Sequence, residues 1–103
     1  MKMNRDMMRQ VQQMQSRLAK AQEELESMAV VGTAGGGAVS ITINGKLEVQ
    51  SVKIAPEVVD PDDVEMLEDL VTAALNEALQ KAQALQTEHM SSLTAGLRLP
   101  GMP

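Results

Sequence analysis

Residues 30–54, VVGTAGGGAVSITINGKLEVQSVKI, decide the fold, because here the apolar spacing leaves a helical period for an alternating one. Val39, Ile41 and Ile43 alternate with Ser40 and Thr42, and after Asn44-Gly45 the alternation resumes at Leu47 and Val49. That pattern belongs to strands with one buried face. Asn44-Gly45 predicts a tight type I′ hairpin, whose two central residues need positive φ. Beyond Val49 the apolar parity shifts to Val52 and Ile54, which predicts a bulge near Gln50 and Ser51. Val30 and Val31 mark a shorter strand before these two, and Gly35, Gly36 and Gly37 predict a loose turn between it and the next.

Helical patterns flank the strands on both sides. Upstream, Met7, Val11, Met14, Leu18, Ala21, Leu25 and Met28 recur at alternating spacings of four and three, the 3.5-residue repeat of a coiled-coil seam. Good helix formers lie between them, and neither Pro nor Gly occurs before Gly32. A helix over residues 3–28 is about 40 Å long. A small globular body cannot hide a seam of that length, so part of the helix must project as an arm or pair with another helix. Downstream, Asp60 reads as an N-cap, Pro61 suits the first helical position, and Asp62 and Asp63 favour the positive end of the helix dipole. Val64, Leu67, Val71, Ala74, Leu75, Ala78, Ala82 and Leu85 make one apolar face, widened by Met66, Leu70 and Leu79. So wide a face predicts burial on two sides. The chain reads as one domain in the order αβββα: a helical arm over 1–28, a sheet over 29–55, a second helix over 60–90 and an irregular tail over 91–103, where Gly96, Pro100, Gly101 and Pro103 break any element.

Composition limits the function. The 103 residues contain no Phe, Tyr or Trp, so Met, Leu, Val, Ile and Ala must build the core, and help from a second copy is expected. The absence of Cys removes disulfides, thiolate metal sites and Cys nucleophiles together, and fits a reducing cytoplasm. No stretch approaches the roughly 20 apolar residues of a membrane span, and charged residues break the Met-rich start. His89, the one histidine, stands beside Glu88 with no metal-ligand spacing around it. Asp60, Asp62, Asp63 and Glu65 lack the glycine and distal Glu of a calcium loop. The AGGGA run is not followed by the Lys-Ser/Thr of a phosphate loop. Nothing here makes an enzyme, a cofactor site or a small-molecule site.

The charge is segregated. The net charge is −5, yet five of the nine basic residues, Lys2, Arg5, Arg9, Arg17 and Lys20, fall in the first twenty positions against the single acid Asp6. At about 100° per residue they lie roughly 160° to 280° from Met7, on the face opposite the seam. Arg5, Arg9, Gln13 and Arg17 form an i, i+4 rail about 18 Å long. Such a rail suits successive phosphates of a nucleic-acid backbone, although any solvated helix face carries charge too. Seven acids and no base occupy residues 57–69, so an arm held more than a Debye length of roughly 8 to 10 Å from them acts as a local cation site. Without aromatic rings for base stacking, duplex backbone contact is favoured over single-strand modes.

VSITINGKLEVQSVKI, PDDVEMLEDLVTAALNEALQKA and MSSLTAGLRLPGM, behind a Met- and Gln-rich basic helix, resemble the YbaB/EbfC family of bacterial nucleoid-associated DNA-binding proteins over essentially the whole chain. Many members carry a Gly-rich leader before the first helix, whereas this sequence starts almost directly on it. The resemblance implies an α+β fold of αβββα subunits, with long helices projecting around a small antiparallel sheet to form a tweezer-like homodimer. It further implies a non-enzymatic cytoplasmic protein located on the nucleoid, binding double-stranded DNA and acting in nucleoid organisation, gene expression or DNA repair. Lys2, Arg5, Arg9, Arg17 and Lys20 are the candidate DNA contacts, with Lys81 and Arg98 as secondary ones. Two rival readings remain: a prefoldin-like holdase that grasps unfolded chains with its Met-rich seam, and a structural coiled-coil adaptor.

Overall fold

The computed structural model describes residues 4–94. Two long helices, α1 (Arg5–Ser27) and α2 (Val64–Thr94), flank three strands, β1 (Ala29–Ala34), β2 (Val39–Asn44) and β3 (Val49–Ile54). The strands form an antiparallel meander in the order β1-β2-β3. The molecule is extended, 70 × 27 × 20 Å, because α1 stands largely clear of the body. Asn4 caps α1, its Oδ1 accepting from the amide of Met7 at 2.8 Å.

The core is one layer of side chains between β1, β2 and α2. Val39, Ile41 and Ile43 of β2 point toward Ala74, Ala78 and Ala82, and all six are buried. The three alanines recur every four residues, so they form a flat stripe on which the sheet sits close. Gly32 completes the fit. A Cβ there would lie 2.2 Å from the carbonyl oxygen of Ala74 and 2.4 Å from the amide nitrogen of Ala78.

The bulge falls where the parity shift places it: Thr42 pairs with Ser51 and Ile43 with Val49, leaving Gln50 unpaired. Gly35, Gly36 and Gly37 all have positive φ in the turn between β1 and β2. The hairpin between β2 and β3 differs from expectation. Positive φ occurs at Leu47 (64°) and not at Gly45, so Asn44-Gly45 is not a type I′ turn, and Leu47 belongs to the loop rather than to a strand. The cause is Asn44, which is buried and uses its side chain to organise a wider loop. Its Oδ1 accepts from the amides of Lys46 and Glu48, each at 3.0 Å, and its Nδ2 donates to Glu48 Oε1 at 2.9 Å. Both ends of the second helix also move: it begins at Val64 rather than residue 60 and continues to Thr94, into the stretch expected to be an irregular tail. Asp60 closes a turn through Pro61, accepting from the amide of Asp62 at 2.9 Å, and Asp63 caps α2 by accepting from the amide of Met66 at 3.2 Å. A proline following Asp60 serves equally as the second residue of a β-turn, and here that use prevails.

Candidate nucleic-acid interface

The expected cation face is assembled on α1. Arg5, Arg9, Arg17 and Lys20 are all exposed, while Ala21 and Leu25 of the seam are buried against the body. Cations and seam therefore occupy opposite faces of the helix. Among the described residues none of the four cations forms an ion pair: the pairs are Lys46 with Glu26, Lys81 with Glu77 and His89 with Glu24. The acidic segment starts α2, whereas the root of α1 meets the other end of that helix, where Glu24 lies 3.4 Å from His89. From Glu68 to His89 the helical rise gives about 30 Å, several Debye lengths. The acids that start α2 therefore lie at the far end of that helix from the root of the arm, whose own last turns carry Glu23, Glu24 and Glu26.

The secondary candidates fare differently. Lys81 is engaged: its Nζ donates to the carbonyl of Val31 at 2.9 Å and meets Glu77 Oε1 at 3.0 Å. The hydrogen bond and charge of Lys81 hold the Glu77 carboxyl below the ordinary carboxylate range. This i, i+4 Glu-Lys pair was readable in the sequence. Lys2 and Arg98 lie outside the described residues.

A clasp at the base of the arm was not foreseen. The Gly45 amide donates to the carbonyls of Leu25 (2.8 Å) and Met28 (3.0 Å) at the end of α1, and Gln86 Nε2 of α2 donates to the Gly45 carbonyl. Gly45 thus joins α1, the β2-β3 loop and α2. Its glycine is required by close approach, since a Cβ would lie 2.6 Å from the Leu25 carbonyl oxygen. Lys46 reaching Glu26 at 3.7 Å adds a weaker tie. Beside the clasp lies an open cleft of about 400 Å³ lined by Gln22, Leu25, Gly45, Lys46, Gln86 and Met90. Among the described residues no group of three or more His, Cys, Asp or Glu could hold a metal ion, and no helix is long and apolar enough to cross a membrane.

A second surface is apolar. The register sets Ile54 opposite Val39, Val52 opposite Ile41 and Val49 opposite Ile43, so the β3 residues share the core-facing side of the sheet. Since α2 covers β1 and β2, Val49, Val52 and Ile54 remain 55%, 49% and 39% exposed. They continue the core out to an uncovered edge.

Residues 1–97 match the model of the YbaB/EbfC DNA-binding family. The chain is 56% identical over 94 residues to a nucleoid-associated protein of Chloroflexus aurantiacus, covering 91% of this chain and 94% of that one. It is 51% identical over 96 residues to a nucleoid-associated protein of Pelotomaculum thermopropionicum, covering 93% and 91%. Its fold is similar to that of an uncharacterized protein of Helicobacter pylori of known crystal structure, with a TM-score of 0.77 at 18% identity over 89% of this chain and 98% of the other.

Proposed function

This chain belongs to the YbaB/EbfC DNA-binding family, and on that premise we propose that it binds duplex DNA as a homodimer, holding phosphates with the basic face of α1. The observation that carries this reading is the row of four exposed cations, Arg5, Arg9, Arg17 and Lys20, without carboxylate partners among the described residues. Cations already paired return little on meeting a phosphate, because an existing partner must first be given up. Free ones release condensed counterions from DNA and bind with a strong salt dependence. With no aromatic ring to stack on bases, contact is mainly to the backbone and sequence readout is slight. Lys81, already bonded to Val31 and Glu77, is no longer a favoured contact.

The homodimer is supported by the uncovered strip of Val49, Val52 and Ile54, which a second copy would complete as a shared core. Two arms then stand on one body and act on one duplex, in the cytoplasm at the nucleoid. Consequences for nucleoid organisation, gene expression or DNA repair follow from occupancy of DNA rather than from catalysis.

A gel shift with the Arg5→Glu/Arg9→Glu variant tests the reading. Retardation of duplex DNA by the parent protein, greatly weakened in the variant while its sedimentation stays that of the parent, supports it. Equal retardation by both proteins overturns the assignment. Parallel assays of an aggregating client separate it from the holdase reading, which requires protection of the client without retardation of DNA.

A further inference from the structure

The upper seam of α1 takes no part in holding phosphates. Met7, Val11 and Leu18 are 51%, 46% and 38% exposed, with Met14 between them half-buried, whereas Ala21 and Leu25 of the same stripe are covered by the body. Adjacent Met8 is 50% exposed. We propose that this stretch of seam pairs antiparallel with the same stretch of a second copy.

The repeat is the first reason. Spacings of four and three keep one stripe facing one neighbour that winds gently around the helix, which a helix bare to water on that side does not need. The length beyond the body is the second. Residues 5–18 form an arm of roughly 20 Å, within the range in which an uncovered helix is marginal in water, so a partner helix along its apolar side stabilises it. Charge is the third. The positions flanking the seam are Met8 and Gln15 on one side and Asp6, Gln10 and Arg17 on the other, while Arg5, Arg9 and Lys20 point away. Pairing therefore sets Arg17 near its partner's Asp6 rather than near another cation, and leaves Arg5, Arg9 and Lys20 facing outward.

Direction follows from the body. The seam continues into Ala21 and Leu25, where the Gly45 loop and the end of α2 already occupy its open side, and Gln22 and Met90 line the same cleft. A parallel partner would run into that α2. An antiparallel partner fits, with its own body beyond the first arm's tip, Val11 facing Met14 and Met7 facing Leu18. Each Arg17 then lies at the height of its partner's Met8 but on the other flank, between the partner's Asp6 and Gln10, and about 13 Å along the axis from its counterpart, beyond a Debye length.

Four side chains per arm hide far less than the roughly 800 Å² per partner of a stable interface. The pairing is accordingly weak between free copies and fills when copies are held at high local concentration. Two antiparallel arms present basic faces on both outer sides, an arrangement suited to bridging two duplexes. The bridging consequence rests on the DNA reading; the pairing does not.

The absence of native Cys makes the test direct. Val11→Cys, Met14→Cys and, on the opposite face, Gln13→Cys are each oxidised mildly at high protein concentration without DNA, alone and as the Val11→Cys with Met14→Cys mixture. The disulfide between positions 11 and 14 should form several-fold faster than either homodisulfide, with position 13 slowest. A homodisulfide at position 11 that outpaces the mixed one means parallel arms and overturns the proposal. So does any result in which seam positions link no faster than position 13. Slow maleimide labelling of position 11 without crosslinking would mean that something other than a second arm covers the seam, and would likewise overturn it. A gel shift of the reduced variants reports on DNA binding separately, so failure there leaves the pairing result intact.

Discussion

The amide of Gly45 sits 2.8 Å from the carbonyl oxygen of Leu25, so the loop between β2 and β3 closes the last turn of α1. That carbonyl also accepts from the Met28 amide at 3.2 Å, and Gly45 takes up its remaining acceptor capacity at the helix end. Here it fixes the arm to the sheet, and Gln86 fixes the same glycine to α2. Together with buried Ala21 and Leu25 and the pairs Lys46–Glu26 and His89–Glu24, this joint sets the orientation of the basic face from the root of the helix.

Gly45→Ala should loosen this joint. Its Cβ would meet the Leu25 carbonyl oxygen at 2.6 Å and Leu25 Cδ2 at 2.8 Å, so the root of α1 must shift. We expect a loss of about 1–3 kcal/mol in urea unfolding. Unchanged stability would mean that the contact is slack.

Gly32→Ala should be worse, because the obstruction is backbone. The added methyl would fall 2.2 Å from the Ala74 carbonyl oxygen and 2.8 Å from Ala78 Cα, and α2 cannot yield there without leaving the sheet. The expected outcome is a greater loss than at Gly45, beyond about 3 kcal/mol, or no cooperative transition by circular dichroism.

These two glycines also mark where the sequence stopped being informative. The alternation through Val39, Ile41 and Ile43 and the 3.5-residue seam are periodic signals, and strands and helices appeared where they pointed, including the bulge at Gln50. Asn44-Gly45 and Asp60-Pro61 are local signals that fit two structures each. Tertiary contacts chose between them: the buried Asn44 side chain opened the turn, and Asp60 closed a turn before Asp63 could cap the helix. The basic face was legible because it needs only helical geometry. The clasp was not, because Gly45, Leu25 and Gln86 meet only in the folded chain.

Val52→Glu/Ile54→Lys should separate the proposed dimer. Both residues extend the core onto an uncovered edge, and charges there are expensive to bury. Analytical ultracentrifugation should show the parent as a dimer and the variant as a folded monomer. A monomeric parent, or a variant that still dimerises, would place the interface elsewhere.

Glu77 offers a pH test. Lys81 lowers its carboxyl below the ordinary value of 4.5, so the pair stabilises the fold above that pH and the contribution fades as pH falls through the lower, folded value. In Lys81→Met the side-chain carboxyl resonance of Glu77 should titrate at a higher pH than in the parent. An unmoved midpoint would assign the shift to another cause.

The most direct measurement of the central claim is the salt dependence of duplex binding, followed by anisotropy of a labelled oligonucleotide. If about five phosphates are neutralised, log K should fall against log salt with a slope of about −4 to −5. Arg9→Ala should flatten that slope by about 0.9 for each phosphate it no longer neutralises, whatever the sequence of the duplex. A slope near zero in the parent, or one unchanged by removing Arg9, would contradict a grip made by the exposed cations of α1.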